Sequence, residues 1–192
     1  MPAIVLASTS PYRRELLQRL QLPFEVCAPE VDETPQADET PVALVRRLSQ
    51  DKARAAARTY PDALVIGADQ VAVHAGTVLG KPGDARRALA QLQAVRGHEV
   101  EFYTGLSLLN GASGRLQTEV VRGAVTFREL DDARLQRYLE RDEPFSCAGS
   151  IKTEALGIAL LERVDVDDPT ALLGLPLIRL VRLLEAEGVE VP

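Results

Sequence analysis

A carboxylate inside an apolar segment is the first residue of this sequence that could do chemistry. Asp69 interrupts residues 64–73, a run rich in leucine, isoleucine, valine and alanine that predicts a buried strand. Burying an unpaired carboxylate is costly, so a metal ion, a nearby cation or solvent in a cleft must compensate it. A bulge or a strand end that lets Asp69 reach water is the simpler structural alternative.

The turn before the first predicted helix has the features of an anion-binding site. An apolar strand over residues 3–7 is followed by Ser8-Thr9-Ser10-Pro11, with Ser10 at the helix N-cap and a proline at the first helical position. Free N–H groups at such a helix start attract anions. Arg13 and Arg14 occupy the first turn, where the helix dipole disfavours cations. Two solvated surface arginines are the alternative, but the combination with Ser8 favours a phosphate site.

An acidic stretch and two lysines could join these residues. The acidic stretch Glu30-Val31-Asp32-Glu33 is either a solvated loop or a source of oxygen ligands for a divalent ion. Lys52 falls on the apolar side of a predicted helix, where it either extends its stem along the core or contacts a phosphate. Lys81 follows a predicted strand and supplies a cation for Asp69 or for a phosphate.

Composition restricts the class of protein. The chain has 192 residues, 46% of them hydrophobic and 26% charged, which is typical of a globular protein with one well-packed domain, with room for two lobes. A net charge of −6 argues against general nucleic-acid binding. The two cysteines and two histidines form no metal-ligand pattern. With no apparent leader and no long apolar run, we expect a soluble cytoplasmic protein with no membrane partner.

The pattern of apolar residues predicts alternating strands and helices. Helices are expected after Ser10, from Thr40 to about Arg58, after Asp84, from Asp131 to about Arg141, and from Pro176. Strands are expected over residues 3–7, 24–28, 64–73, 78–79, 100–109, 116–127 and 157–164, with the long pair around residues 110–114 forming a hairpin. We find no repeat or linker and predict a single domain over residues 1–192.

Five short motifs, in order, resemble the Maf-like nucleotide pyrophosphatases. They are Ser8-Thr9-Ser10-Pro11-Tyr12-Arg13-Arg14, Gly67-Ala68-Asp69, Gly80-Lys81-Pro82, Ala148-Gly149-Ser150 and Leu173-Gly174-Leu175-Pro176. The resemblance implies an α/β fold similar to that of inosine triphosphate pyrophosphatases. Such a fold has a long curved mixed sheet flanked by helices, with two lobes around a central cleft. It also implies a hydrolase that cleaves nucleoside triphosphates between the α and β phosphates with a divalent metal cation (magnesium, manganese or cobalt).

The resemblance assigns roles to the residues singled out above. Those expected to hold the substrate phosphates are Ser8, Arg13, Arg14, Lys52 and Lys81. Asp69 resembles the proton acceptor of the family, and Asp69 with Glu33 is expected to bind the metal. Whether Asp69 takes a proton from water or holds the metal stays open at this point. Both roles suit attack on a polyanion, which needs charge neutralisation and an activated water.

Three departures from the commoner family pattern concern specificity. Tyr12 replaces an arginine, Gln70 a threonine and Glu154 a glutamine, which resembles the subfamily that prefers 7-methyl-GTP and releases 7-methyl-GMP and diphosphate. A methylated guanine carries positive charge, which favours stacking on Tyr12, and Glu154 could accept from the base N–H groups. The alternatives are that Tyr12 only packs against a loop and that Glu154 faces solvent.

Other functions and assemblies stay open. A pyrophosphatase for dTTP and UTP belongs to the same family, and the family is also associated with a non-enzymatic nucleotide- or DNA-binding regulator of septum formation. The resemblance allows a homodimer and links the activity to removal of modified nucleotides or to cell-division arrest. The acidic charge argues against DNA as a partner.

Overall fold

Seven strands and five α-helices make up the regular structure of the part of the chain that is described here. The structure is a computed structural model and describes residues 2–191. The strands are β1 (Ile4–Ala7), β2 (Glu25–Cys27), β3 (Leu64–His74), β4 (Thr77–Leu79), β5 (Glu99–Asn110), β6 (Leu116–Phe127) and β7 (Leu161–Val166). The helices are α1 (Pro11–Gln18), α2 (Pro41–Ala57), α3 (Ala85–Val95), α4 (Asp132–Asp142) and α5 (Leu177–Glu185). Short 3₁₀ helices span Ala148–Ser150, Leu156–Leu160 and Pro169–Leu173.

The strands form one mixed sheet. Its order is β2-β1-β3-β5-β6-β7, with β4 paired to β3 outside this path. Strand β1 is parallel to both β2 and β3, whereas β4 is antiparallel to β3 and β7 is antiparallel to β6. The predicted α/β class with a mixed sheet flanked by helices is therefore confirmed. No helix among residues 2–191 is long and apolar enough to cross a membrane.

Contacts divide the chain into two compact units. The first contains the residues up to Gln70, Thr104–Val121 and those from Asp168 onward; the second contains Val71–Tyr103 and Arg122–Asp167. Two units agree with the two lobes expected from the sequence. The single domain over residues 1–192 stays a prediction, and its two terminal residues lie outside the described part of the chain.

The first unit buries both faces of β1. Ile4 and Leu6 belong to one core cluster, which also contains residues of α1 and α5. Val5 and Ala7 point to the opposite face, where they pack with alanines of α2. Because alternate residues of a strand point to opposite faces, an apolar residue at every position of β1 is what a strand covered on both sides requires.

Helix α2 lies directly on the sheet at two glycines of the first unit. A Cβ at Gly67 of β3 would overlap the carbonyl oxygen of Ser49, and a Cβ at Gly105 of β5 would overlap that of Val45. Only glycine therefore allows the backbone of α2 to lie this close to both strands. Thr40 caps this helix by accepting from the backbone N–H of Ala43, at the position where the sequence predicts the helix to start.

The second unit combines two helices with the ends of the longer strands. Helix α3 packs against α4 and against the 3₁₀ helix Ala148–Ser150. Asp84 and Asp131 accept hydrogen bonds at the starts of α3 and α4 respectively, and both helices begin where the sequence predicts them.

One predicted strand has wrong bounds. The strand expected over residues 157–164 begins only at Leu161, because residues 156–160 form a 3₁₀ helix. At Gly157 the chain lies against the carbonyl of Lys152, too close for any side chain. This turn back on the preceding loop is a backbone feature that an apolar pattern cannot reveal.

Candidate active site

A lysine compensates the buried carboxylate of β3. Lys52 Nζ donates to Asp69 Oδ1 at 2.6 Å and lies 2.7 Å from Glu33 Oε1. Lys52 is 6% exposed and Asp69 9% exposed, so this ion pair is nearly removed from solvent, whereas the Glu33 side chain is 57% exposed. The structure thus shows one of the compensations considered for Asp69, a nearby cation, and that cation is Lys52.

The close approach of α2 to β3 explains how these two side chains meet. Lys52 lies one turn after Ser49, whose carbonyl contacts Gly67, and Asp69 follows Gly67 by two residues on the same side of the strand. The ammonium on the helix therefore reaches the carboxylate on the strand. Lys52 is buried on this face of α2 together with Leu48 and Ala56.

The turn after β1 has the structure predicted for an anion-binding site. Ser10 is the N-cap of α1, and its side chain accepts from the backbone N–H of Arg13 at 3.4 Å. Ser8 is 4% exposed, and its Oγ accepts from the backbone N–H of Ser10 at 3.1 Å. Ser8 follows the carboxyl end of β1, and β1 is parallel to the strand that carries Asp69. Functional residues of α/β sheets lie preferentially at such strand ends.

Arg13 is held by the loop that precedes α5. Its Nε donates to the carbonyl of Gly174 at 2.8 Å. Partial burial lowers the pKa of the Arg13 guanidinium, while the negative charges of Asp69 and Glu33 act in the opposite direction. Gly174 has a φ of 100° and its Cα lies against the Arg13 side chain, so any other residue would be strained there and would press on the guanidinium.

A buried carboxylate fixes the conformation of that loop. Asp168 is 1% exposed and accepts from the N–H and the hydroxyl of Thr170 and from the N–H of Ile178. The Thr170 hydroxyl in turn accepts from the N–H of Leu177 at 2.8 Å. These bonds tie the 3₁₀ helix Pro169–Leu173 to the start of α5. The Gly174 carbonyl that receives Arg13 is therefore part of a rigid loop.

Gln70 is a second anchor of the same loop. Its Nε2 lies 3.0 Å from Thr104 Oγ1, 2.7 Å from the Ala171 carbonyl and 3.1 Å from the Leu172 carbonyl. Thr104, which is 1% exposed, also donates to Ala171 at 2.9 Å. The amide of Gln70 is thus engaged with the backbone that supports Arg13. Its role in specificity stays a prediction. Through this geometry Gln70 would act on the substrate indirectly, by supporting the loop that holds Arg13.

The remaining predicted site residues are placed as follows. Tyr12 is half-buried on α1, and Arg14 beside it is exposed and has no ion-pair partner among residues 2–191. Lys81 and Glu154 are exposed residues of the second unit, in loops after β4 and before the 3₁₀ helix Leu156–Leu160. The structure therefore brings Glu33, Lys52 and Asp69 into direct contact, with the charge of Arg13 close by.

Thr104 and Asp168 are functional candidates that sequence reasoning missed. Both are almost fully buried, and both support the loop that holds Arg13. Asp168 stands immediately before a proline, which is a common helix-start signal, but nothing in the local sequence connects it to Arg13. Thr104 lies in a strand, where threonine is ordinary.

The cluster could hold a divalent cation only with additional ligands. No group of three or more histidine, cysteine, aspartate or glutamate side chains suited to a metal ion occurs within residues 2–191. Magnesium typically uses one or two carboxylates and takes its other ligands from water and substrate phosphates. Asp69 and Glu33 both reach the same ammonium, so they supply two carboxylates close together, and this donor set fits such a hard cation.

Comparison with known proteins places the chain in a family. The family model described as Maf-like protein matches residues 3–187, and the chain belongs to this family. The resemblance to this family that the sequence motifs indicated is confirmed.

Several proteins that are similar to this chain have the same name. A protein named 7-methyl-GTP pyrophosphatase from Pseudomonas aeruginosa is 54% identical over 192 residues and covers 100% of both chains. Another of the same name from Thiobacillus denitrificans is 56% identical over 190 residues, which is 99% of this chain and 94% of that one. Among solved structures, the Ham1 protein of Staphylococcus aureus has a TM-score of 0.43 and 18% identity, over 66% of this chain and 72% of that chain.

Proposed function

We propose that this protein is a nucleoside triphosphate pyrophosphatase that prefers 7-methyl-GTP and releases 7-methyl-GMP and diphosphate. Its family and the names of relatives more than half identical over nearly the full chain support this activity. The observation that carries the proposal is the pairing of buried Lys52 with Asp69 and Glu33, beside the anchored guanidinium of Arg13.

The residues of the first unit divide the chemistry between them. Arg13 and Arg14, with the hydroxyl of Ser8, neutralise and orient the phosphates, since guanidinium groups bind phosphate oxygens through paired hydrogen bonds. The Asp69 carboxylate accepts the proton of the water that attacks phosphorus, while the bond to the diphosphate leaving group breaks. Lys52 holds that carboxylate in place through its hydrogen bond to Oδ1. Direct contact of Lys52 and Lys81 with phosphate is also part of the proposal.

A divalent cation is expected to complete the site. Asp69 and Glu33 would hold it, and its charge would stabilise the negative charge that develops on the phosphate oxygens. Magnesium, manganese and cobalt all accept oxygen ligands of this kind. The exposure of Glu33 leaves room for water and for phosphate oxygens around the same position.

Specificity for the methylated base is assigned to Tyr12 and Glu154. Methylation at N7 makes the guanine ring cationic, so the aromatic face of Tyr12 attracts it more strongly than a neutral base. A carboxylate at Glu154 accepts from the N1–H and the exocyclic amine of guanine, whereas the acceptor edge of uracil or thymine repels it. Glu154 is exposed and makes no hydrogen bond or ion pair with residues 2–191, so its carboxylate is available to a ligand.

Replacing Glu154 with glutamine should narrow the preference for 7-methyl-GTP. Loss of one charge-assisted hydrogen bond should lower the ratio of kcat/KM for 7-methyl-GTP to that for UTP by about tenfold. The measurement is steady-state turnover of both nucleotides. Glu140→Gln, another exposed glutamate of the second unit, is the matched control. An unchanged ratio in Glu154→Gln would remove this residue from the specificity assignment.

Replacing Gln70 with leucine should weaken the support of Arg13. The loop carbonyls of Ala171 and Leu172 lose a donor, so we expect kcat/KM to fall by about tenfold, mainly through a higher KM. Gln50→Leu is the matched control, because that half-buried amide of the same unit donates to Thr118. If kcat/KM and KM of Gln70→Leu equal those of the control, the loop does not depend on the hydrogen bonds of Gln70.

The experiment that tests the function is diphosphate release from 7-methyl-GTP, GTP, UTP, dTTP and CTP with added divalent metal. A clear preference for 7-methyl-GTP supports both the reaction and the assignment of specificity. Preference for UTP and dTTP would keep the reaction but reject the roles of Tyr12 and Glu154. No turnover of any nucleotide would reject the enzyme and favour a nucleotide-binding regulator. A cytoplasmic location and a homodimer, which the family resemblance allows, are also part of the proposal.

A further inference from the structure

Helix α4 and the chain around it form a cationic groove that the proposed reaction does not use. The groove has a volume of about 200 Å³, and four arginine side chains line it: Arg128, Arg134, Arg137 and Arg141. No aspartate or glutamate is among its lining residues. We call these four residues and the space between them the arginine groove. All four belong to the second unit, whereas Asp69, Lys52 and Arg13 belong to the first.

Helix geometry explains why three of the arginines share one side. Positions 134, 137 and 141 are three and four residues apart, so their side chains project from the same face of α4. Arg128 joins them from the segment that follows β6, where its Nη1 donates to the carbonyl of Ala159 at 2.9 Å. That bond fixes the Arg128 side chain against the backbone of Ala159, another lining residue of the groove.

The charge of this groove is poorly compensated. Arg134 has one exposed ion pair, with Asp131 at 3.8 Å, and pairs of this kind contribute little. The side chains of Arg137 and Arg141 make no hydrogen bond or ion pair with any residue between 2 and 191. The chain has 28 acidic residues, 22 basic ones and a net charge of −6. Four arginines collected without a facing carboxylate, in so acidic a chain, indicate a place for an external anion.

The other walls of the groove are apolar. Leu130 and Leu160 are buried and form part of its lining, and Leu156 is 39% exposed beside them. A ligand that fills the groove therefore needs an apolar or aromatic body next to its anionic group. Arginine side chains also stack on flat rings, which strengthens the same preference.

The charge and size of the site select a small ligand. A long polyanion such as nucleic acid would meet the net negative charge of the rest of the protein. A space of about 200 Å³ holds a phosphate group with a single ring. We propose that the arginine groove is a binding site for a small organic phosphate, with the phosphate on the guanidinium groups and the apolar body against Leu130 and Leu160.

Phenyl phosphate is the probe that tests this site, because it carries both features and lacks the triphosphate of a nucleotide. Titration calorimetry should show binding that depends on the arginine groove, and nuclear magnetic resonance should show shifts of the backbone amides of Ala159 and Leu160. In Arg137→Gln/Arg141→Gln the affinity should fall by about tenfold for each arginine lost. Both arginines are exposed and without partners in the described chain, so the variant should melt like the wild type.

The control and the competing outcomes decide the proposal. Arg86→Gln/Arg163→Gln removes two exposed arginines of the same unit outside the groove and should bind phenyl phosphate as the wild type does. Equal affinity for inorganic phosphate would overturn the role of the apolar wall. If a single-stranded oligonucleotide binds more tightly than phenyl phosphate, and this binding depends on the arginines, the ligand of the groove is nucleic acid and the proposal of a small ligand is overturned. No binding, or equal loss in the control variant, would overturn the site altogether.

Discussion

Turnover of 7-methyl-GTP should fall by about 100- to 10,000-fold when Asp69 is replaced with asparagine, the range expected for loss of a general base. Asparagine has nearly the same shape as aspartate, and its oxygen can still accept from Lys52. The fold should therefore persist while proton transfer from water is lost. Steady-state kinetics give the loss, and titration of the variant with nucleotide separates binding from turnover.

Asp62→Asn is the control for this substitution. Asp62 is an exposed carboxylate of the same unit, two residues before β3, and its replacement should leave turnover within a factor of about two. Retained turnover in Asp69→Asn would reject Asp69 as the proton acceptor. Retained nucleotide binding with lost turnover is the result that an enzyme gives and that a pure binding protein does not.

Replacing Lys52 with methionine should lower the free energy of unfolding by about 3–5 kcal/mol, the usual cost of breaking a buried ion pair from one side. Methionine fills a similar volume but leaves the Asp69 carboxylate, 9% exposed, without its cation. Urea unfolding of the wild type and the variant gives the difference directly. Turnover should fall as well, because the carboxylate loses the group that positions it.

Two further variants isolate the charge from the packing. Arg54→Met changes an exposed cation of the same helix and should cost less than about 1 kcal/mol. In the double variant Lys52→Met/Asp69→Asn no buried charge is left unpaired, so the added cost of removing the lysine should be much smaller. An equal cost in both backgrounds would mean that the lysine stabilises the protein by packing alone.

Local signals in the sequence were enough to predict most elements of the fold. Ser10, Thr40 and Asp84 each stand where the backbone needs an acceptor, and each caps the helix that was predicted to follow it. The two long strands β5 and β6 follow from their β-branched and aromatic residues on either side of a turn at residues 110–114. These features depend on neighbours a few residues away, which a single sequence displays.

Contacts between distant segments were not predictable. Arg13 bonds to Gly174 across 161 residues, and Gln70 bonds to Ala171 across 101 residues. A sequence shows that an arginine in the first turn of a helix is unusual, but not which carbonyl holds it. In the same way, Asp69 required a partner, and only the packing of α2 on β3 identifies Lys52 as the residue that meets it.

The contact of α2 with Gly67 and Gly105 has a consequence for how this protein tolerates change. Main-chain atoms set the spacing between the helix and both strands, and main-chain atoms cannot shrink or change rotamer as side chains do. Shortening an apolar side chain elsewhere on the helix, such as Leu44 or Leu48, therefore reduces stability while the ammonium of Lys52 stays at the same distance from β3. Substitutions in the core therefore leave the geometry of Lys52, Asp69 and Glu33 unchanged, except substitutions of Gly67 and Gly105 themselves.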